Sequence, residues 1–304
     1  MGLRHQVWWR AALSSVALGM VVVFCGNGCV TTRSGNPSLP TTPPGAPTPS
    51  ARSHQVHLQG VLLDAGHGGE PEEAAARSGE NYASLGKTAR QVYHEQCFGA
   101  ISAEGYKEKT ATLAVAKKVE SLLRKAGIQT AMTRTTDSYV PLNERAARML
   151  EPEYRGWIFV SIHFNRSSRQ QDATNLSAKY EAARGFEIYV SPSRRGSRSA
   201  TPVAGGDIRT ANRLLASSIQ SHLDDIPGMA NRGIKEAWFL VLRSSPLPAV
   251  LIEGGFLSNP EEAILISTED YQWELARATV AGIQDYASRP AAIAKSAPSG
   301  PSPR

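Results

Sequence analysis

The chain has 304 residues, of which 41% are hydrophobic and 20% are charged, so it has room for one sizeable core plus appendages. Its formal net charge of +6 at pH 7 gives a basic surface that suits an anionic polymer. Nucleic-acid binding is not expected, because no basic helix carries interleaved aromatic residues and the arginine-rich stretch 193–198 is typical of a flexible loop. Composition alone therefore indicates one globular domain, and its motifs must specify the chemistry.

The amino terminus, residues 1–29, is predicted to be a targeting segment. A positively charged start precedes the apolar stretch 11–24, which is too short for a convincing membrane span and is typical of a secretion signal. Gly28-Cys29 resembles a bacterial lipidation site, with Cys25 as a poorer alternative. We therefore expect export to the periplasm or cell envelope, with membrane contact only through the signal or a lipid on Cys29. Without the lipid, the protein would be secreted.

Two stretches of low complexity flank the predicted domain. Residues 30–53 are mainly Pro, Thr, Ser and Gly, with almost no large apolar side chain. Such a stretch cannot bury enough surface to offset the entropy of ordering, so it is predicted to be a disordered tether. Residues 289–304 have a similar composition and are predicted to be a disordered tail. The folded domain is therefore placed at residues 54–288.

Apolar runs and helical patterns alternate through this domain. Strands are predicted for the run from Gly60 towards His67 and at 128–134, 157–162, 186–190, 238–242 and 249–252. Helices are predicted at about 107–126, 142–150, 208–223 and 271–286, and a further helix should begin at Ser258-Asn259-Pro260-Glu261. The polar stretch after the first strand is predicted to be a long loop. This order indicates an α/β fold, a three-layer sandwich in which helices flank a twisted, mostly parallel six-stranded sheet.

Four side chains with catalytic or metal-binding potential lie at the ends of these elements. His67, His163 and Glu253 end apolar runs, and Glu108 opens a helix. Sheets of this class place ligands beyond the carboxyl ends of their strands. Two imidazoles and one carboxylate are suitable zinc ligands, and a second carboxylate could move protons. Each residue alone also has an ordinary explanation, such as a glycine-rich turn, a hydrogen-bonded core histidine or a carboxylate that complements a helix dipole.

Five stretches in this order resemble the zinc-dependent N-acetylmuramoyl-L-alanine amidases, which trim bacterial cell-wall peptidoglycan. They are Leu62-Leu-Asp-Ala-Gly-His-Gly-Gly69, Glu108-Lys109-Thr110, Ser161-Ile-His-Phe-Asn165, Asn231-Arg-Gly-Ile-Lys235 and Pro248-Ala-Val-Leu-Ile-Glu-Gly-Gly-Phe-Leu-Ser-Asn259. The resemblance covers nearly everything from residue 60 to about 287. It implies that His67, Glu108 and His163 bind one zinc ion and that Glu253 is the catalytic carboxylate.

The resemblance also implies a substrate, the amide bond between N-acetylmuramic acid and L-alanine in peptidoglycan. Asn165, Arg232 and Lys235 are candidate substrate-binding residues, and Asp64 is a candidate acceptor for the second nitrogen of a ligating imidazole. Two alternatives stay open. One is a zinc peptidase that cuts within the stem peptide, and the other is a non-catalytic wall-binding lipoprotein, which would have no need of Glu253.

Two stretches are longer than the family pattern leads us to expect. The insertion at 70–104 is rich in acidic residues and is anchored on both sides by presumed zinc ligands. Two roles are open for this insertion. In the first, a carboxylate of the insertion or His94 occupies the open metal position until a regulatory protein displaces it. In the second, the insertion is a wall that determines substrate specificity. The second extension, at 166–184, follows His163 and is expected to be either solvated decoration or a lid.

Overall fold

A computed structural model describes residues 58–167, 183–192 and 207–289. The predicted signal segment, the tether, Cys29, most of the 166–184 extension and the tail beyond residue 289 lie outside these ranges. Among the residues described, no helix combines the length and apolar character needed to cross a membrane.

The described residues form one six-stranded sheet with the order β2-β1-β3-β6-β4-β5. Its strands are β1 (Gly60–Ala65), β2 (Gln129–Met132), β3 (Ile158–Asn165), β4 (Phe186–Val190), β5 (Asn231–Glu236) and β6 (Ala249–Phe256). Neighbouring strands run parallel, except that β4 is antiparallel to β6. This confirms the mostly parallel sheet.

Helices cover both faces of the sheet, which confirms the three-layer sandwich. They are α1 (Pro71–Arg77), α2 (Lys87–Phe98), α3 (Glu108–Lys125), α4 (Leu142–Arg148), α5 (Ile208–Leu223), α6 (Leu240–Arg243), α7 (Pro260–Ser267) and α8 (Glu269–Ser288). Val61 and Leu63 of β1 pack in the core that contains α3, α5 and α8. Leu62 points the other way, into the core that contains Val241 of α6. Because successive side chains enter different cores, these strands read as continuous apolar runs.

One predicted strand is wrong. The run 238–242 contains the start of helix α6, and the sixth strand is β5, which precedes it. A short apolar run fits a strand or a buried helical turn equally well. β5 escaped detection because it is a half-exposed edge strand without an apolar run. Gly233 within it has φ of +86°, at the place where the pairing with β4 shifts register.

The predicted long loop after β1 is also wrong, because most of it is helical. Helices α1 and α2 form a hairpin joined by a 3₁₀ turn at Tyr82–Ser84. The hairpin has a small core of its own, made of Ala74, Ala75, Tyr93, Cys97 and Phe98. Burial raises the pKa of the Cys97 thiol to about 12, so this residue is a packing residue and not a nucleophile.

Arg145 of α4 holds the turn that follows β1. Its buried guanidinium group forms an ion pair with Asp64 at 2.6 Å. It also donates to the carbonyl groups of Ala65 and His67 at 2.7 and 2.6 Å. Burial alone would raise the pKa of Asp64, but Arg145 and two donated hydroxyl groups lower it to about 2. The carboxylate is therefore charged, and Arg145 neutralises it.

Arg134, which follows β2, joins the same turn to the first turn of α3. Its guanidinium group donates to the carbonyl groups of Ala65 and Gly66, each at 2.9 Å, and to that of Lys109 at 2.8 Å. Burial, together with neighbouring Arg145, lowers the pKa of Arg134 to about 10, so the side chain stays charged at neutral pH. The two arginines therefore fix the backbone on which His67 and Glu108 stand.

Replacing Arg145 by Leu should lower the free energy of unfolding by about 3–5 kcal/mol, because it leaves the Asp64 carboxylate buried without its cation. Denaturant titration of both proteins would measure this loss. Arg77→Leu is the matched control, because the ion pair of Arg77 with Glu144 is exposed and contributes at most about 1 kcal/mol. Equal, small losses in the two variants would contradict the importance given to the buried pair.

Candidate metal centre

His67 occupies a strained turn directly after β1. Its φ is 59°, in the left-handed region that residues with a Cβ atom rarely adopt. The carbonyl oxygen of Gln96 lies 3.0 Å from its Nδ1. Because a carbonyl group can only accept, Nδ1 carries the proton and Nε2 keeps the lone pair that a metal ligand needs. Gly66 is required beside it, since a Cβ atom there would lie 2.3 Å from Cε1 of His163.

Glu108, the first residue of α3, lies between the two histidines. Its Oε1 is 3.3 Å from Nε2 of His67 and 2.9 Å from Nδ1 of His163, at the carboxyl end of β3. Burial alone would raise the pKa of Glu108, but the two imidazoles keep it below its usual value. Burial alone would likewise lower the pKa of His67, whereas Glu108 raises it above the usual range. The structure thus brings the three predicted ligands together.

These three side chains fit a zinc ion. One potential ligand atom from each lies within 4.8 Å of the others. Two imidazole nitrogens and one carboxylate oxygen are a donor set that zinc accepts, with a position left for water or substrate. Within the described residues, His67, Glu108 and His163 are the one group of three or more His, Cys, Asp or Glu side chains that lie close enough together to share a metal ion.

Glu253 lies beside this cluster, in the middle of β6. The pairing of β3 with β6 sets it opposite His163, and the pairing of β4 with β6 sets it opposite Glu187. Its Oε2 is buried and has no hydrogen-bond partner among the described residues. Burial, then the charges of Glu108 and Glu187, raise the pKa of Glu253 well above its usual value. A buried carboxylate with an unused oxygen is costly unless it serves chemistry.

The three predicted substrate-binding residues converge on Glu187, which is only 2% exposed. Asn165 donates its amide to Oε2 of Glu187 at 3.1 Å, and Arg232 and Lys235 both form ion pairs with Oε1. Burial alone would raise the pKa of Glu187, but the hydrogen bonds from these cations and from Tyr189 lower it. Two neighbouring carboxylates thus have opposite environments, because Glu187 is saturated with donors and Glu253 is not.

The prediction for Asp64 is wrong. Its carboxylate accepts from Thr133 at 2.6 Å and from Ser161 at 2.7 Å, in addition to Arg145, and from neither imidazole. Asp64 therefore supports the strand ends and the Arg145 network. The second nitrogen of His67 is satisfied instead by a backbone carbonyl group of the insertion.

A groove of about 820 Å³ opens in front of His67 and His163. The α1–α2 hairpin contributes Glu80, Val92 and Tyr93 to one wall, and residues 139–143 with α6 contribute the other. His94 and the acidic residues of the hairpin have other contacts: His94 pairs with Tyr82, Glu70 with Lys109, and Glu80 with Tyr93. Within the described ranges, the geometry therefore makes the insertion a groove wall and places none of its carboxylates in the metal cluster.

Sequence reasoning missed three charged residues of this site. Arg134, Arg145 and Glu187 are each at most 3% exposed. Glu187 carried a usable signal, since it interrupts the apolar strand Phe186–Val190 just as Glu253 interrupts β6. The two arginines carried no such signal, because an arginine at a strand end or on a short helix is ordinarily exposed.

Comparisons with known proteins agree with this geometry. The profile of the N-acetylmuramoyl-L-alanine amidase family matches residues 61–285. The amidase AmiA of Escherichia coli K12 is 30% identical over 209 residues, which cover 62% of this chain and 71% of AmiA. Among solved structures, the amidase AmiC2 of Nostoc punctiforme is similar with a TM-score of 0.55 and 25% identity, covering 78% of this chain and 99% of that one.

An amidase structure from Clostridium difficile 630 is similar to the same extent, with a TM-score of 0.55 and 29% identity over 76% of this chain and 97% of that one. The profile match spans most of the chain, including His67, Glu108, His163 and Glu253. The chain therefore belongs to the N-acetylmuramoyl-L-alanine amidase family.

Proposed function

We propose that this protein is a zinc-dependent hydrolase that cleaves the amide bond between N-acetylmuramic acid and L-alanine in peptidoglycan. The observation that carries the proposal is the buried, unpaired oxygen of Glu253 beside the cluster of His67, Glu108 and His163. Family membership supports the amidase reaction on peptidoglycan. The donor set supports zinc as the metal.

In this mechanism, His67, Glu108 and His163 would hold the zinc ion. When bound, the ion would supply Lewis acidity that polarises the substrate carbonyl and makes an attacking water more acidic. Glu253 accepts the proton of that water on Oε2 and returns it to the departing nitrogen. The neighbours of Glu253 along β6 are buried, so the carboxylate stands at the edge of an apolar strand.

We assign substrate contacts to Asn165, Arg232 and Lys235, as the family resemblance implies. The side chains of Arg232 and Lys235 are each 37% exposed, so they retain surface for a ligand although they pair with Glu187. Both cations stand on β5, and β4 with Glu187 lies between them and Glu253 on β6. The cations fit the anionic carboxylates of a stem peptide, and the net charge of +6 favours approach to an anionic wall.

The setting of the reaction is also a proposal. We infer export to the periplasm or cell envelope from residues 1–29, with lipid attached to Cys29 or, without lipid, secretion. We also propose that a regulatory protein acts on the 70–104 insertion, whose hairpin reaches the site directly. Comparing the cellular fraction and the mass of wild type and a Cys29→Ala variant tests the anchor.

Purified wild-type protein should contain about one zinc ion per chain, and His163→Ala should lose most of it, because one of three protein ligands is gone. Elemental analysis after gel filtration would measure both. His222→Ala is the control, since His222 lies on α5, outside the cluster. Full zinc retention by His163→Ala would contradict the ligand assignment.

Glu253→Gln should lower the rate of peptidoglycan hydrolysis about a hundredfold to ten-thousandfold, because it removes the proton acceptor and keeps the side-chain shape. Its zinc content and circular dichroism spectrum should match the wild type. Glu269→Gln is the control, since its carboxylate is 83% exposed and remote from the metal cluster. Near-normal turnover by Glu253→Gln would show that another residue is the base.

The bond that is cut can be identified by mass spectrometry of muropeptides after digestion. The proposed amidase should release glycans with intact lactyl groups and free stem peptides that begin with L-alanine. Shortened peptides that stay attached to the glycan would instead identify a peptidase that cuts within the stem. Binding without any product would identify a wall-binding protein.

A further inference from the structure

The end of the insertion contacts two of the three candidate metal ligands. The carbonyl oxygen of Gln96 accepts from Nδ1 of His67 at 3.0 Å, and the backbone N–H of Ala100 donates to Oε2 of Glu108 at 2.7 Å. These bonds use the atoms of His67 and Glu108 that face away from the cluster, since Nε2 and Oε1 are the atoms that face each other. Segment 96–100 therefore sets the orientation of both side chains.

Backbone hydrogen bonds fix this segment to the chain on either side. Gly68, next to His67, donates its N–H to the carbonyl of Cys97 at 2.8 Å, and Glu108 donates its N–H to the carbonyl of Ala100 at 2.8 Å. Both candidate ligands are therefore tied to the same five residues through their side chains, and also through the main chain of Glu108 and of Gly68, which follows His67. A shift of segment 96–100 would break these hydrogen bonds to His67, Gly68 and Glu108.

Gly99 lies at the centre of this contact and has no room for a side chain. Its φ is +66°, and a Cβ atom there would be 2.2 Å from Oε2 of Glu108 and 2.6 Å from Cδ2 of His67. The backbone thus packs directly against both ligands. Cys97 and Phe98, which precede Gly99, belong to the core of the α1–α2 hairpin. The segment is therefore held in place by the folding of the insertion.

We propose that segment 96–100 is a positioning element of the metal centre, so that the α1–α2 hairpin must be folded for zinc to be held tightly. Partners in this outer position orient a metal ligand, and their loss ordinarily costs 10- to 100-fold in metal affinity. The inference rests on zinc binding to the proposed site. It gives the insertion a role other than supplying an inhibitory ligand, because opening the hairpin would loosen the metal site rather than uncover it.

Two glycine variants of the full chain test whether the close packing of segment 96–100 against the ligands matters for zinc. Gly99→Ala should raise the apparent Kd for zinc about 10- to 100-fold, measured by competition with a chelator. Gly79→Ala is the matched control, since Gly79 has φ of +77° at the end of α1 and open space around it. It should bind zinc like the wild type. Equal zinc affinities in the two variants would overturn the inference and leave the proposed function standing.

Hydrogen exchange of the wild type provides a test that does not depend on a folded variant. Because coupling is reciprocal, zinc should slow amide exchange in residues 93–100 as well as at the ligands. Unchanged exchange in α2 with zinc bound would overturn the inference. A wild-type chain that binds no zinc would instead refute the proposed metal centre, and the inference with it.

Replacing residues 72–100 by a short Gly-Ser link is a third test, in which the positioning role and an inhibitory role predict different zinc contents and activities. The positioning role predicts a lower zinc content than in the wild type. Higher activity with unchanged zinc content would contradict it and would identify the insertion as an inhibitory element.

Discussion

The site depends on a backbone turn that two buried guanidinium groups hold in place. At the end of β1, Thr112 of α3 donates to the carbonyl group of Gly66 at 2.8 Å, and the carbonyl groups of residues 65–67 accept hydrogen bonds from further donors. Arg134 and Arg145 supply those donors at 2.6–2.9 Å. A planar guanidinium group suits this task because it has five N–H donors in a fixed arrangement and stays charged when buried. His67, within this restrained turn, has the left-handed conformation, with φ of 59°.

A second constraint is the contrast between two adjacent carboxylates in the sheet. Glu187 and Glu253 face each other across β4 and β6. Donors surround Glu187 and lower its pKa, whereas burial and neighbouring negative charge raise that of Glu253. Environments that push two pKa values apart are a common way to assign different roles to chemically identical groups. Here Glu187 is paired with two cations, whereas Oε2 of Glu253 has no hydrogen-bond partner among the described residues.

The insertion illustrates how the fold changes the meaning of a charged segment. Its acidic residues suggested a ligand that reaches into the metal site. In the folded chain, these acidic residues contact groups around the hairpin instead. Glu70 pairs with the side chain of Lys109, Glu73 accepts from the backbone N–H of Tyr139, and Glu80 accepts from the hydroxyl group of Tyr93. The part that reaches the ligands is backbone, namely the carbonyl group of Gln96 and the N–H of Ala100. Backbone groups carry no residue-type signature, so composition could not reveal this contact.

The sequence by itself determined the layered α/β fold, and the family resemblance added the four residues that we propose for the centre. Strands that are buried on both faces appear in the sequence as apolar runs. A charged or imidazole side chain that ends or interrupts such a run is therefore recognisable as a candidate functional residue. His163 and Glu253 could be found in this way, and family resemblance joined them to His67 and Glu108. The edge strand β5 and the hairpin helices could not be found, because neither has an apolar run of useful length.

Only the tertiary structure decided which polar partners meet. Asp64 lies three residues from His67 in the chain, yet it pairs with Arg145, 81 residues away. Asn165 comes from one part of the sequence pattern and Arg232 and Lys235 from another, but all three share Glu187. The physical reason is that most buried polar groups need a partner, while the identity of that partner depends on strand order and register. Those are properties of the assembled sheet, which no local segment specifies.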